Sequence, residues 1–168
     1  MAETNLTGRT SQAKLNSMAV DLIDVTLSTD AEVLGNNDVI AQSIEIPNAV
    51  AVEGGSAIIQ SIMILDEDDE APSIDLIFQT DNTALASDEG EIVNISDANA
   101  RDILGFVNVS NYTDLLNCQV GIKTNIGLVV KAASTTKSIF VHAVNRSGGT
   151  YTPAATTDLK MKIGIVKD

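Results

Sequence analysis

Few side chains in this sequence could take part in acid–base or covalent chemistry: one imidazole, His142, one thiol, Cys118, and one run of carboxylates, Asp66-Glu67-Asp68-Asp69-Glu70. A hydrolytic triad needs a base beside its nucleophile and a carboxylate to orient that base. His142 stands in the middle of the apolar run Ser138-Ile139-Phe140-Val141-His142-Ala143-Val144, so its expected role is that of a strand residue on one sheet face. Cys118 has no Cys or His close by in sequence, which excludes a zinc site of ordinary local spacing. As the single cysteine it allows no intrachain disulfide, which suits a reducing compartment. Gly148-Gly149 lead into Thr150 and Tyr151 without the lysine that a phosphate-binding loop requires.

The acidic run offers the remaining site. Adjacent carboxylates repel one another unless water or a cation screens them. Ca²⁺ takes six to eight oxygen ligands, and a loop at a strand end can supply several of them. The candidate ligands are Asp66, Glu67, Asp68 and Asp69. The spacing is not that of the helix–loop–helix calcium motif, and the plainer expectation is a solvated acidic turn. No other cofactor is expected. Paired carboxylates also serve glycosidases, which need two of them across a cleft and a surface for sugar rings. With no Trp, and Tyr112 and Tyr151 as the only tyrosines, that surface is lacking, and an enzyme is not expected.

The chain has 168 residues, the size of one domain, and 44% of them are hydrophobic while only 3% are aromatic. Its core must therefore be built from Ile, Val, Leu and Ala, of which the β-branched members favour strands. Ten basic residues against 23 acidic ones give a formal charge of −13. Phosphate backbones are bound through clustered Lys and Arg, and here Lys160 and Lys162 alternate along a strand while Arg9, Arg101 and Arg146 stand apart. Nucleic acid is therefore not an expected partner. No apolar run approaches the length that crosses a bilayer, and the first residues lack the pattern of a signal peptide. A soluble protein with no membrane partner is expected.

Residues 1–17 are rich in Thr, Ser, Asn and Gln with scattered apolar positions, and read as an extended N-terminal arm preceding one domain over residues 18–168. From Val20 onward, short aliphatic segments alternate with turn chemistry. Strands are expected at Val20–Leu27, Val39–Ile46, Ala49–Val52, Ala57–Leu65, Ile74–Phe78, a weak segment ending at Leu85, Glu91–Ile95, Phe106–Val109, Val120–Ala132, Ser138–Val144 and Leu159–Val166. Ala57–Leu65 is nearly continuous in apolar residues, as expected of a strand covered on both faces. Gly121 and Gly127 mark a bulge or a close backbone approach. Ser96 to Gly105 reads as one short helix of about two turns, capped by Ser96 and closed by Gly105. Many short strands with one helix predict an all-β, jelly-roll-like two-sheet β-sandwich. Scarce aromatics favour a permanent aliphatic contact over a transient, hot-spot-rich one.

The stretch from Ile58 through Asp69, Asp75-Leu76-Ile77-Phe78, the segment from Ile95-Ser96-Asp97-Ala98 to Asp102-Ile103-Leu104-Gly105, and the closing strand Leu159 to Ile165 resemble small structural proteins of tailed bacteriophages. The likeness is one of pattern and local phrase over most of residues 20–166. It implies a virion protein of the capsid decoration or cement type on the outer head surface, assembled in the host cytoplasm. The implied partners are the major capsid protein and further copies of the chain, as a homotrimer. The arm would then clamp a neighbouring subunit through Leu6, Arg9, Lys14 and Leu15. The alternative is a head-fibre, tail or baseplate binding module that contacts a host surface, with or without calcium.

Overall fold

The structure, a computed structural model, describes residues 19–167. Its strands are β1 (Ala19–Thr26), β2 (Val39–Ile46), β3 (Ser56–Asp66), β4 (Ile74–Gln79), β5 (Ile103–Val109), β6 (Tyr112–Asp114), β7 (Gln119–Lys131), β8 (Ile139–Asn145) and β9 (Leu159–Lys167). They form two antiparallel sheets, one in the order β1-β9-β3-β7-β6 and the other in the order β2-β8-β4-β5. The pairings are nested: β1 pairs with β9, β2 with β8, β3 with β7, and β4 with β5. A chain that pairs from its two ends inward is one long antiparallel ribbon, and rolling that ribbon up gives a jelly roll. The β3·β9 and β4·β8 ladders join the ribbon to itself, so the expected two-sheet sandwich is the fold observed.

The core lies between the sheets and is almost wholly aliphatic, with Phe78 and Tyr151 as its fully buried aromatics. β9 shows why the chain folds this way. Leu159, Met161, Ile163 and Ile165 point inward and are buried, while Lys160 and Lys162 alternate with them on the outer face, as the period-2 geometry of a strand requires. β3 is less regular. Its register slips between Ile59 and Ser61 against both β7 and β9, so Ala57 and Ile59 face inward before the slip and Ile62, Ile64 and Asp66 after it. This bulge, with aliphatics on the outer face too, makes the segment read as continuously apolar. The outer residues Ile58, Met63 and Leu65 are only half-buried, so β3 is not covered on both faces as expected. The strands that are covered on both faces are β4 and β8.

Both glycines of β7 have conformational reasons. A Cβ on Gly121 would lie 2.7 Å from Val109 Cγ1 and 2.9 Å from Tyr112 Cε1, and Gly127 has φ of 67°, where the chain of β7 bulges opposite the slip in β3.

The expected helix is a single 3-10 turn, Asn99–Asp102. Ser96 Oγ does accept the Asn99 N–H, at 3.3 Å, but Ile103, Leu104 and Gly105 belong to β5. Two helical turns make few hydrogen bonds, whereas β5 gains a ladder with β4 and packs Leu104 on the main core and Ile103 on a second cluster. The expected strand at Ala49–Val52 is a turn that buries Ala49 and Val50. The segments ending at Leu85 and at Ile95 are not strands either. They belong to a long loop laid over the outer face of the second sheet, where Leu85, Val93 and Ile95 pack around Ile77 and Val144. Its one β-bridge among the described residues joins Ile92 to Asp38. Strand β6 was not anticipated; three residues carry too little pattern to read.

Candidate interaction surface

His142 lies on β8 under the long loop and is fully buried. A bulge in β2 between Ala41 and Ile44 turns Ser43 to φ of 58° and takes its N–H out of the ladder. That N–H donates to His142 Nδ1 at 3.0 Å, while Nε2 lies 3.0 Å from Gln79 Oε1. The accepting Nδ1 assigns the ring proton to Nε2, so the imidazole is neutral. Burial pushes its pKa down to about 4. This is a histidine fastening three strands together, with both ring nitrogens engaged and no opening to solvent.

The acidic run is also built into the fold. Asp66 ends β3 on the inward face and is fully buried. Its Oδ1 accepts the Asp68 N–H at 3.2 Å, and its Oδ2 accepts those of Glu70 at 2.8 Å and Ala71 at 2.7 Å. Asp69 and Ala71 take left-handed φ values of 62° and 52° to close this wrap. Asp68 and Glu70 reach outward and accept the N–H groups of Ala154 and Thr152 at 2.8 and 3.1 Å. The loop is thereby tied to the strand-like segment at Tyr151, whose buried phenol is held protonated by burial and by the surrounding Asp66, Asp68, Glu70 and Asp158. Glu67 and Asp69 face solvent. Among the described residues no group of three or more His, Cys, Asp or Glu side chains is placed to hold a metal ion. The candidate ligands thus lie together in sequence but point to different partners.

What the fold leaves open is the outer face of the first sheet. Cross-strand partners share a face, and the registers line them up in rows. Val20, Val166, Ile58 and Val129 form the first row, and Leu22, Gly164, Ser61 and Thr124 the second. Asp24, Lys162, Met63 and Ile122 form the third, and Thr26, Lys160, Leu65, Val120 and Thr113 the fourth. Val20 is 73% exposed, Leu22 68%, Val129 63% and Ile122 59%, so large aliphatic groups stand in water. Four rows across four strands span about 500 Å² of sheet, with the aliphatic groups interspersed among Ser, Thr, Lys and Asp. On the second sheet the long loop covers the outer face around Ile77 and Val144 and leaves Phe106 of the edge strand β5 exposed.

Within the third and fourth rows the surface sinks into a trough of about 270 Å³ lined by Met63, Leu65, Thr26, Asp24, Lys160 and Lys162. Lys162 Nζ lies 3.3 Å from Asp24 Oδ1, a largely exposed pair. In a chain with 23 acidic residues against ten basic, this face is unusual: Lys131, Lys160 and Lys162 stand on it with Asp24 as the one carboxylate of the four rows. Its chemistry suits contact with another protein, with exposed aliphatic groups on β1 and β7 and the lysines of β9 between them.

The signal for this face was present in the alternation of Leu159 to Ile163, but the rows became visible only with the registers. The arm residues Leu6, Arg9, Lys14 and Leu15 lie outside the described residues. Tyr151 is buried and Tyr112 is half-buried with an enclosed hydroxyl, so neither forms a platform for sugars. No described helix is long and apolar enough to cross a membrane. No protein-family model matches the chain, and no curated protein is similar to it in sequence.

Proposed function

We propose that this chain is a non-enzymatic structural protein of a tailed-phage virion, a decoration or cement protein that binds the shell of major capsid protein from outside and stabilises it. The observation that carries the protein-binding part is the exposed aliphatic face of the β1-β9-β3-β7-β6 sheet. The phage part rests on the resemblance of the β3, β4, β5 and β9 segments to small virion proteins. A jelly roll by itself hosts many functions. The buried, neutral state of His142 and the commitment of Asp66 to backbone N–H groups are in keeping with a scaffold role. Stabilisation of a shell by such a protein is additive: contacts to several subunits at once make the loss of any one of them rarer. The arm at residues 1–17 supplies the clamp to the shell, and the sheet face supplies lateral contact.

Quantitative mass spectrometry of purified particles of the phage that encodes the chain tests this. The expected result is a copy number commensurate with the major capsid protein, and loss of head stability when the chain is deleted. A few copies per particle would place it in a fibre, tail or baseplate instead, and absence from particles would remove the reading.

A further inference from the structure

The negative counterpart of the lysine-lined trough is found on the same chain. The long loop over the second sheet carries Asp88-Glu89-Gly90-Glu91-Ile92, and its backbone is pinned to the edge of β2. The Gly90 N–H donates to the Val39 carbonyl at 2.9 Å, the Val39 N–H to the Glu91 carbonyl at 2.9 Å, and the Val93 N–H to the Asn37 carbonyl at 3.2 Å. Glu89 folds inward, its carboxylate accepting the Gln42 N–H at 3.2 Å. Asp88 and Glu91 stay in solvent, and the Ile92 side chain projects with 65% of its surface exposed. Asp30 lies close enough to the loop to act on the Glu89 carboxylate. Ile92 thus stands exposed on a backbone pinned to β2, with Asp88 and Glu91 exposed on the same loop.

We propose that the trough of one copy receives Ile92 of a neighbouring copy, with Asp88 and Glu91 of that loop facing Lys160 and Lys162. The inference rests on the reading of the sheet face as a protein contact and names its occupant. The two halves are compatible in size, since a branched aliphatic side chain fits within a trough of about 270 Å³ lined by Met63 and Leu65. They match also in sign. A copy carrying −13 is repelled by its like unless opposite charges meet locally, and stacking trough on trough would set lysine against lysine. Because the two surfaces differ, the contact is head to tail, which closes into a ring or grows as a filament according to the rotation between copies.

Sedimentation velocity of the full chain, from low micromolar to near-millimolar concentration, tests this together with two variants. The parent chain is expected to associate reversibly. Ile92→Asp on the loop and Lys160→Glu/Lys162→Glu on the sheet should each weaken association by about tenfold or more. Mixed together, the two variants retain one good half each and should form one-to-one complexes and nothing larger. Asp88→Lys/Glu91→Lys replaces Ile92→Asp if circular dichroism shows that variant misfolded, and Lys160→Ser/Lys162→Ser likewise replaces the glutamate pair. A parent that stays monomeric, a variant that associates as the parent does, or a mixture that fails to combine overturns the proposal. A monomer that still coats phage heads removes this inference alone, whereas an associating chain absent from particles removes only the virion reading.

Discussion

At the scale of single residues, two buried polar groups hold strands in place, and their energetics can be read. His142 has its pKa lowered from 6.5 to about 4 by burial. Between those values the unfolded chain binds a proton that the folded chain refuses, so this contribution to stability is complete above pH 6.5 and falls as the pH drops. The loss reaches about 2 to 3 kcal/mol by pH 4.5. Urea unfolding of the parent and of His142→Gln at pH 7 and 4.5 checks it: the parent should lose this much more than the variant, and parallel declines would refute it. Asp66 is the second group. Asp66→Ala strands three backbone N–H groups near the core and should cost about 3 kcal/mol or more, with Asp66→Asn costing less because one oxygen remains an acceptor. Since Asp66, Asp68 and Glu70 already serve backbone N–H groups, the thermal midpoint should be the same with and without a chelator. A drop on chelation would put a calcium ion in this loop.

At the scale of elements, the bulges and the covering loop decide which surfaces are open. The slip in β3 and the matching irregularity in β7 keep aliphatic side chains on both faces of one sheet. The loop that hides the outer face of the other sheet around Ile77 and Val144 also blunts the edge of β2 through Val39, whose N–H and C=O both bond to it, a guard against edge-to-edge pairing. The crossing of β5, β6 and β7 is close-packed at Gly121. Gly121→Ala should destabilise the fold by about 1–3 kcal/mol through overpacking against Val109 and Tyr112. Equilibrium denaturation reads this directly, and a neutral result would show that the site can relax. Removal of residues 1–17 is expected to leave the thermal midpoint of the sandwich unchanged while reducing binding to phage heads, as measured by co-sedimentation; undiminished binding would dispose of the clamp.

At the scale of the whole molecule, the nested pairing joins residues from the two ends of the described chain, with Ala19 opposite Lys167. β9 is inserted between β1 and β3, so the first sheet has no stable form without it. A chain truncated before Leu159 should fail to give cooperative unfolding by circular dichroism, and a cooperative transition would contradict this account. Such long-range pairing is also the topology that folds slowly, and for a chain with one cysteine no disulfide lends help.

The all-β class, the aliphatic core, most strand positions and the turn at Gly35 to Asp38 were legible in the residues, because alternation and turn chemistry act over a few positions. In that turn Asp38 Oδ2 accepts the Gly35 N–H at 2.6 Å and Asn37 has φ of 76°, the roles their types suggested. The false helix at Ser96–Gly105 and the false strands at Ala49–Val52 and Glu91–Ile95 share one cause: local propensity was overruled by where their apolar side chains found burial. The inward turn of Asp66, the enclosure of His142 and the rows of aliphatic groups flanked by lysine arise from register, which brings together residues far apart in the chain. Local pattern determines what a segment is able to become; only the neighbours it meets decide which of its faces remains in water.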